Sequence, residues 1–122
     1  MVTLTPGARG AVSEMLVACD LERRGLSTYR AVSMHAPFDL AVYDARGLIR
    51  VEVKTATSTT STGKLHSPVA QRPDRYDVLA LVGHDGVIQY TTPAGAPWSW
   101  AAPDPTGTAC VPSWTPPQYQ HA

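Results

Sequence analysis

The sequence lacks several features that would assign it to a common class of protein. No apolar run approaches the roughly 18 residues that cross a membrane, so we expect no membrane span. The first residues do not join a basic segment to an apolar one, so no signal peptide is expected. The two cysteines, Cys19 and Cys110, have no metal-ligand spacing, and a reducing, cytoplasmic setting is expected. We predict that Cys19 is a buried thiol in a helix.

Net charge is also lacking, since 10 basic residues balance 10 acidic ones. On that total alone, a strong nucleic-acid binder is not indicated. The distribution is uneven, because all ten Lys and Arg residues lie at or before Arg75 and residues 76–122 carry only acidic charge. The charge pattern therefore permits DNA binding without demonstrating it.

Several motifs of other enzyme classes are missing as well. No Gly-rich phosphate loop follows a predicted strand, and no nucleophile-elbow glycine pattern surrounds any serine. The four histidines are scattered without the spacing of a zinc-binding helix, and we interpret them as surface residues.

The first clear pattern is a helix predicted from Pro6 to Arg24, capped by Thr5 and ended by Gly25. The apolar stripe expected to face the core consists of Ala8, Ala11, Val12, Met15, Leu16 and Cys19. Glu14 has small and apolar helical neighbours, which makes its carboxylate costly unless it is paired or binds a metal ion. The alternative is a glutamate at the edge of the apolar face that reaches solvent.

A hairpin is predicted next, from the runs 38–43 and 48–55 joined by the turn 44–47. Alternation along the second run places Glu52 and Lys54 on one face and the apolar residues on the other. Asp39 lies on the first run. Two carboxylates and a lysine on adjacent strands suit Mg²⁺ binding and water activation. The alternative is a solvated strand face with an ion pair worth about 0.2–1 kcal/mol.

The rest of the chain divides into strands and irregular segments. Further strands are predicted over 26–32, 76–82 and 87–92, and the Ser/Thr-rich segment 56–64 is predicted to be a mobile loop. Seven of the eleven prolines and all three tryptophans follow residue 92. We therefore predict a domain over residues 1–93 and a Pro/Trp-rich tail over 94–122. Either Trp98, Trp100 and Trp114 pack this tail on the domain, or it is disordered.

The order of these residues resembles the signature of the PD-(D/E)xK nuclease superfamily. The segment Pro37-Phe38-Asp39, twelve further residues and then Glu52-Val53-Lys54 carry the resemblance, although Phe38 interrupts the literal PD pair. The upstream Glu14 is similar to the extra acidic residue of the branch that contains archaeal-type Holliday junction resolvases and related small homing and restriction-like endonucleases.

The resemblance implies a fold and a set of site residues. The fold is α/β, a restriction-endonuclease-like core with an N-terminal helix on a mixed four- to five-stranded sheet. A second helix is common in this fold after the ExK strand, but the prolines of segment 56–75 predict that it is short or missing here. The implied catalytic residues are Glu14, Asp39, Glu52 and Lys54. Mg²⁺, or Mn²⁺ in its place, would be held by Asp39, Glu52, the carbonyl of Val53 and Glu14. The basic residues expected to contact DNA are Arg9, Lys64, Arg72 and Arg75.

The function that follows is a Mg²⁺-dependent DNA endonuclease similar to Holliday junction resolvases, with a role in DNA recombination or repair. A homodimer is implied, because two symmetric cuts need two sites. A site-specific homing or restriction-like endonuclease is one alternative. A non-catalytic DNA-binding or assembly protein on the same fold is another, and an interaction module that uses the Pro/Trp tail is a third.

Overall fold

One N-terminal helix and seven strands make up the fold in the computed structural model, which describes residues 3–33, 35–67 and 72–103. The elements are α1 (Pro6–Arg23), β1 (Ser27–Arg30), β2 (Leu40–Asp44), β3 (Gly47–Thr55), β4 (Ser58–Thr59), β5 (Leu65–His66), β6 (Val78–Val82) and β7 (Ile88–Thr91). Five of the strands form a mixed sheet in the order β1-β2-β3-β6-β7, with only the β3–β6 pair parallel. This arrangement confirms the predicted helix on a mixed sheet.

Helix α1 begins and ends where its capping residues predict. The Thr5 hydroxyl accepts a hydrogen bond from the Ala8 N–H at 3.1 Å, and Pro6 occupies the first turn, where it needs no N–H partner. Gly25, at φ +80°, follows the helix and takes the left-handed conformation that only glycine adopts freely. No helix in the described ranges is long and apolar enough to cross a membrane.

The face of α1 that packs on the sheet differs from the predicted one. Ser13, Val17 and Leu21 are buried, whereas the predicted stripe is largely open: Met15 is 60% exposed and Cys19 is exposed. The predicted burial of Cys19 is therefore wrong. Because the buried face contains the polar residue Ser13, a search for apolar residues at helical spacing does not identify this face. The Ser13 hydroxyl lies 2.7 Å from that of Thr55 on β3, which makes its burial inexpensive.

Truncating the two leucines of α1 that lie on opposite faces should give unequal losses of stability. Leu21→Ala removes a side chain that is 0% exposed and should lower the free energy of unfolding by about 2–5 kcal/mol. Leu16→Ala, at a position 38% exposed, should cost about 0.5–1 kcal/mol at most. Urea unfolding of both variants measures the difference, and equal losses would contradict the packing described here.

The two faces of the sheet have different roles. Along β3, Ile49, Val51 and Val53 are buried in the main core beneath α1, while Glu52 and Lys54 lie on the opposite face, as predicted. The latter face also carries a smaller buried cluster, formed by Leu65, Tyr76, Leu79 and Leu81. The charged side chains of β3 therefore lie beside an apolar cluster that reduces their contact with water.

The connection between the parallel strands β3 and β6 is partly ordered, contrary to the predicted loop. Strands β4 and β5 pair as a small hairpin, and its tip is closed by a hydrogen bond from the Thr60 N–H to the Lys64 carbonyl at 2.8 Å. Alternating Ser and Thr give no apolar period, so sequence periodicity could not predict strands of two residues. The described parts of this connection, 56–67 and 72–77, contain no helix, in keeping with the prediction that a helix here is short or missing.

The described part of the Pro/Trp-rich segment lies against the domain. Trp98 and Trp100 pack on the main core, and Trp100 makes an edge-to-face contact with Tyr90 at 5.3 Å. Buried Asp44 accepts a hydrogen bond from the Ala101 N–H at 3.1 Å. These two contacts confirm the packed alternative for Trp98 and Trp100, while Trp114 lies outside the described residues. The domain boundary at residue 93 stays a prediction.

Candidate active site

Asp39 and Glu52 are brought together by the register of β2 and β3. Leu40 pairs with Val51, so the same register continued by one residue places Asp39 opposite Glu52. Two hydrogen bonds between Asp39 and the backbone of β3 hold this geometry. Asp39 donates its N–H to the Val51 carbonyl at 3.1 Å, and its Oδ2 accepts the Val53 N–H at 2.8 Å. The carboxylate of Asp39 is thus oriented by the backbone of the strand that carries Glu52.

The proximity of these two carboxylates dominates the electrostatics of the site. Glu52 is only 18% exposed, and burial together with a hydrogen bond to Asp39 raises the pKa of Glu52 to about 8. The negative charge of Asp39 acts in the same direction, and the positive charge of Lys54 opposes it. Near neutral pH, the protein without a cation therefore keeps a proton between the two carboxyl groups.

Lys54 lies beside this pair on the same face of β3. Its Nζ is 3.9 Å from Glu52 Oε1, and the side chain is 29% exposed. Side chains two residues apart on a strand project in the same direction, so this contact follows from the alternation of the sequence.

Glu14 approaches the site from helix α1. Its side chain lines a cleft of about 350 Å³ together with Asp39 and Arg30. Burial and the negative charge of Asp39 raise the pKa of Glu14, while the positive charge of Arg30 lowers it. Glu14 is half-buried and lies close enough to Asp39 for their charges to interact, and its role at the site stays a prediction.

The arrangement of an acid on a helix and an Asp…ExK set on a hairpin agrees with a sequence comparison. The sequence profile of the PD-(D/E)XK endonuclease family matches residues 5–82, which is more than half of the chain. The chain belongs to the PD-(D/E)XK endonuclease family. The matched segment contains Glu14, Asp39, Glu52 and Lys54. Members of this family generally use divalent metal ions.

Two solved structures have a backbone similar to that of this chain. A bacterial homing endonuclease aligns with a TM-score of 0.62 at 10% sequence identity, over 96% of this chain and 88% of its own. The Holliday junction resolvase of Archaeoglobus fulgidus, an archaeal hyperthermophile, aligns with a TM-score of 0.49 at 13% identity, over 69% of this chain and 72% of its own. The first of these likenesses shows the restriction-endonuclease-like fold. No curated protein sequence matches the chain.

The carboxylate pair suits the ion that PD-(D/E)XK endonucleases use. Two acidic side chains that retain a proton between them offer hard oxygen ligands whose repulsion a divalent cation would relieve. No group of three or more His, Cys, Asp or Glu side chains in the described part of the chain is placed to hold an ion. Asp39 and Glu52 are the two acidic side chains that the structure brings together, and Mg²⁺ commonly completes so small a set of protein ligands with water and phosphate. The Val53 carbonyl as a third ligand stays a prediction. Glu14 as a direct ligand stays a prediction.

Two residues near the acids were missed by the sequence analysis. Arg30, on edge strand β1, lines the cleft that holds Glu14 and Asp39. Tyr76 is 2% exposed, and burial followed by the charge of Glu52 raises its pKa. Only the strand register, which places β1 beside β2 and β6 beside β3, reveals that these residues approach the site.

The four basic residues predicted to bind DNA do not form one group. Arg9, on α1, lines a separate cleft at the far end of β3. Lys64 lies on the β4–β5 hairpin, and Arg72 and Arg75 bracket a turn; all three are exposed. Within the described ranges, no hydrogen bond or ion pair joins these residues to the acidic site. Their role in DNA binding stays a prediction.

Proposed function

We propose that this protein is a Mg²⁺-dependent DNA endonuclease that hydrolyses phosphodiester bonds, of the Holliday junction resolvase type. The observation that carries the proposal is the pairing of Asp39 with Glu52, which holds a proton near neutral pH and lies beside Lys54. A fold that only bound DNA would gain nothing from two carboxylates held together. A partly buried carboxyl group with a shifted pKa, such as that of Glu52, is characteristic of functional sites.

The residues divide the chemistry among them. Asp39, Glu52 and the Val53 carbonyl would hold the cation, which would neutralise charge on the phosphate and activate a water molecule when bound. Glu52 must lose its proton for this, and the ammonium of Lys54 then remains at 3.9 Å to orient the attacking water or stabilise the developing negative charge. The Val53 N–H keeps Asp39 in place throughout. Glu14 adjusts the charge of the site from the α1 side.

The type of DNA substrate separates the candidate functions. Labelled synthetic four-way junctions and their linear duplex arms should be incubated with the protein and Mg²⁺. Paired cuts confined to the junction are the expected result. Equal cutting of the duplex arms would instead establish the homing or restriction-like alternative. Tight binding without any cutting would contradict catalysis and favour the DNA-binding alternative.

A homodimer forms part of the proposal, since one active site cannot make two symmetric cuts at once. Sedimentation velocity of the protein, the junction DNA and their mixture gives the mass of the complex. After the mass of the DNA is subtracted, the protein in the complex should have twice the mass of a single chain. A complex of one chain per junction would contradict the paired-cut mechanism while leaving hydrolysis itself intact.

A further inference from the structure

A second cleft lies beyond the carboxylates, at the C-terminal end of β3. It has a volume of about 450 Å³ and is bordered by the first turns of α1, by the chain from Thr55 to Thr59, and by the turn that follows β6. The polar residues that line it are Arg9, Thr55, Thr57, Ser58, Thr59 and His84.

The chemistry of this cleft favours an anion. No Asp or Glu lines it, in a protein with as many acidic as basic residues. Within the described residues the guanidinium of Arg9 makes no ion pair, so its five N–H donors are available to a ligand. Ser58 and Thr59, which carry hydroxyl groups, line the same cleft from strand β4. A cleft lined by a free guanidinium and by hydroxyl-bearing residues, without a carboxylate, suits the oxygens of a phosphodiester.

The wall that carries the hydroxyls is fixed to the sheet. Gln89 on β7 accepts the Leu65 N–H at 2.8 Å and donates its side-chain amide to the Gly63 carbonyl at 2.7 Å. The Ala56 N–H donates to the Val82 carbonyl at 2.8 Å, which anchors the start of the same segment. The β4–β5 hairpin is thus held in position before any ligand arrives, which lowers the entropic cost of binding.

Close packing at the turn after β6 also supports a formed cleft. A Cβ added at Gly83 would lie 3.1 Å from the Leu65 side chain and 3.1 Å from Asp85 Oδ1. Glycine at this position therefore lets the β6–β7 turn, which carries His84, approach the hairpin closely.

The cleft continues directly from the proposed catalytic strand. Thr55 follows Lys54, and Thr57 lies three residues beyond Lys54.

From these observations we propose that Arg9, Ser58, Thr59 and His84 form a phosphate-binding site for the DNA backbone, beside the site at which the bond is cut. The inference rests on the proposed function for its ligand, because the phosphate belongs to the same DNA strand. It assigns Arg9 to a phosphate that flanks the bond that is cut, and it gives His84 a role in binding.

The test measures DNA binding, so it does not depend on cleavage. Arg9→Ala should be placed in the Glu52→Gln background, and its affinity for a labelled junction measured by fluorescence anisotropy over a range of salt concentrations. Loss of a hydrogen-bonded phosphate contact should weaken binding about tenfold. It should also reduce the slope of log affinity against log salt by about one phosphate contact.

Arg23→Ala provides the matched control, since it removes an exposed arginine from the last turn of the same helix. Affinity and salt slope close to those of the parent are expected for it. Equal effects of Arg9→Ala and Arg23→Ala would overturn the proposed site, because general charge would then explain both. His84→Ala should weaken binding in the same direction as Arg9→Ala, and an unchanged affinity would remove His84 from the site.

The outcome also separates this inference from the proposed activity. If wild-type protein binds DNA but cuts none, a selective loss of binding in Arg9→Ala would still establish the phosphate site while the endonuclease proposal fails. If cutting occurs but Arg9→Ala binds like the control, the endonuclease stands and the phosphate site is overturned.

Discussion

Glu52→Gln is expected to abolish DNA cleavage and, in the absence of metal, to make the protein more stable. In the wild type, burial and the adjacent Asp39 raise the pKa of Glu52 to about 8. The Gln side chain retains an N–H that can donate to Asp39 but carries no charge. It therefore preserves the hydrogen bond and removes the repulsion that deprotonation creates.

The pH dependence follows from the direction of this shift. Because the folded-state pKa of Glu52 lies above its unfolded value of about 4.5, its contribution to stability is fully present below about pH 4.5 and is lost as the pH rises through about 8. The advantage of Glu52→Gln should therefore be small at pH 5 and reach on the order of 1–3 kcal/mol at pH 9. Urea unfolding in EDTA at the two pH values measures it.

Cleavage should change in the opposite direction. Without the Glu52 carboxylate the site holds the cation less well, so the transition state loses several kcal/mol of charge stabilisation. This loss corresponds to a cleavage rate lower by about 10³-fold. Asp74→Asn, which removes an exposed carboxylate, is the control and should cut DNA at the wild-type rate. If Glu52→Gln were less stable than wild type at pH 9 and still cut DNA, the assignment of the pair as a cation site would be wrong.

Asp44→Ala should produce the largest loss of stability among single substitutions of charged residues. The Asp44 side chain is 0% exposed and accepts hydrogen bonds from the Arg46 backbone N–H at 2.8 Å, the Ala101 N–H at 3.1 Å and the Arg46 guanidinium. That guanidinium also donates to the Ser99 carbonyl and lies 4.5 Å from the centre of the Trp98 ring. Asp44 thus joins the β2–β3 turn to the segment that follows β7.

Removing this acceptor leaves partly buried donors without a partner and loosens the contact of Trp98 with the core. A loss of about 3–4 kcal/mol in the free energy of unfolding is expected. Thermal or urea unfolding measures it, with Asp74→Ala as the exposed control. A loss below about 1 kcal/mol would show that the segment after β7 is not held by Asp44.

Protonation of Asp44 at low pH should remove its contribution to the stability of the wild-type protein. Burial alone would raise the pKa of Asp44, but the hydrogen bonds from Arg46 and Ala101 outweigh it and hold this pKa below its usual value. The stabilisation is therefore present above the unfolded value of about 3.9 and lost as the pH falls through the lower folded value. The difference between wild type and Asp44→Ala should narrow below about pH 4.

The parts of the fold that could be predicted are those in which polar and apolar residues recur with the period of a strand, or in which the signals lie close together in the sequence. Alternation along β3 placed Glu52 and Lys54 on one face, and the turn at 44–47 set the register that brings Asp39 opposite Glu52. The ends of helix α1 could be predicted because its capping residues lie next to it in the sequence.

The features that escaped prediction depend on contacts between distant residues. The buried face of α1 contains Ser13, whose partner Thr55 lies 42 residues away, so no local pattern marks that face as the inner one. Arg30 reaches the acidic site only because β1 pairs with β2. The β4–β5 hairpin depends on Gln89, which is remote in sequence and polar.

The most direct test of the proposed cation site is to measure Mn²⁺ binding by electron paramagnetic resonance, in the presence of a short DNA duplex. This measurement does not require the preferred DNA substrate to be known, and Mn²⁺ shares the oxygen ligands of Mg²⁺. Wild-type protein should bind the ion, Asp39→Asn and Glu52→Gln should lose that binding, and Asp74→Asn should retain it. Equal binding by all four proteins, or cleavage of DNA by the wild type in EDTA, would contradict a catalytic cation held by Asp39 and Glu52.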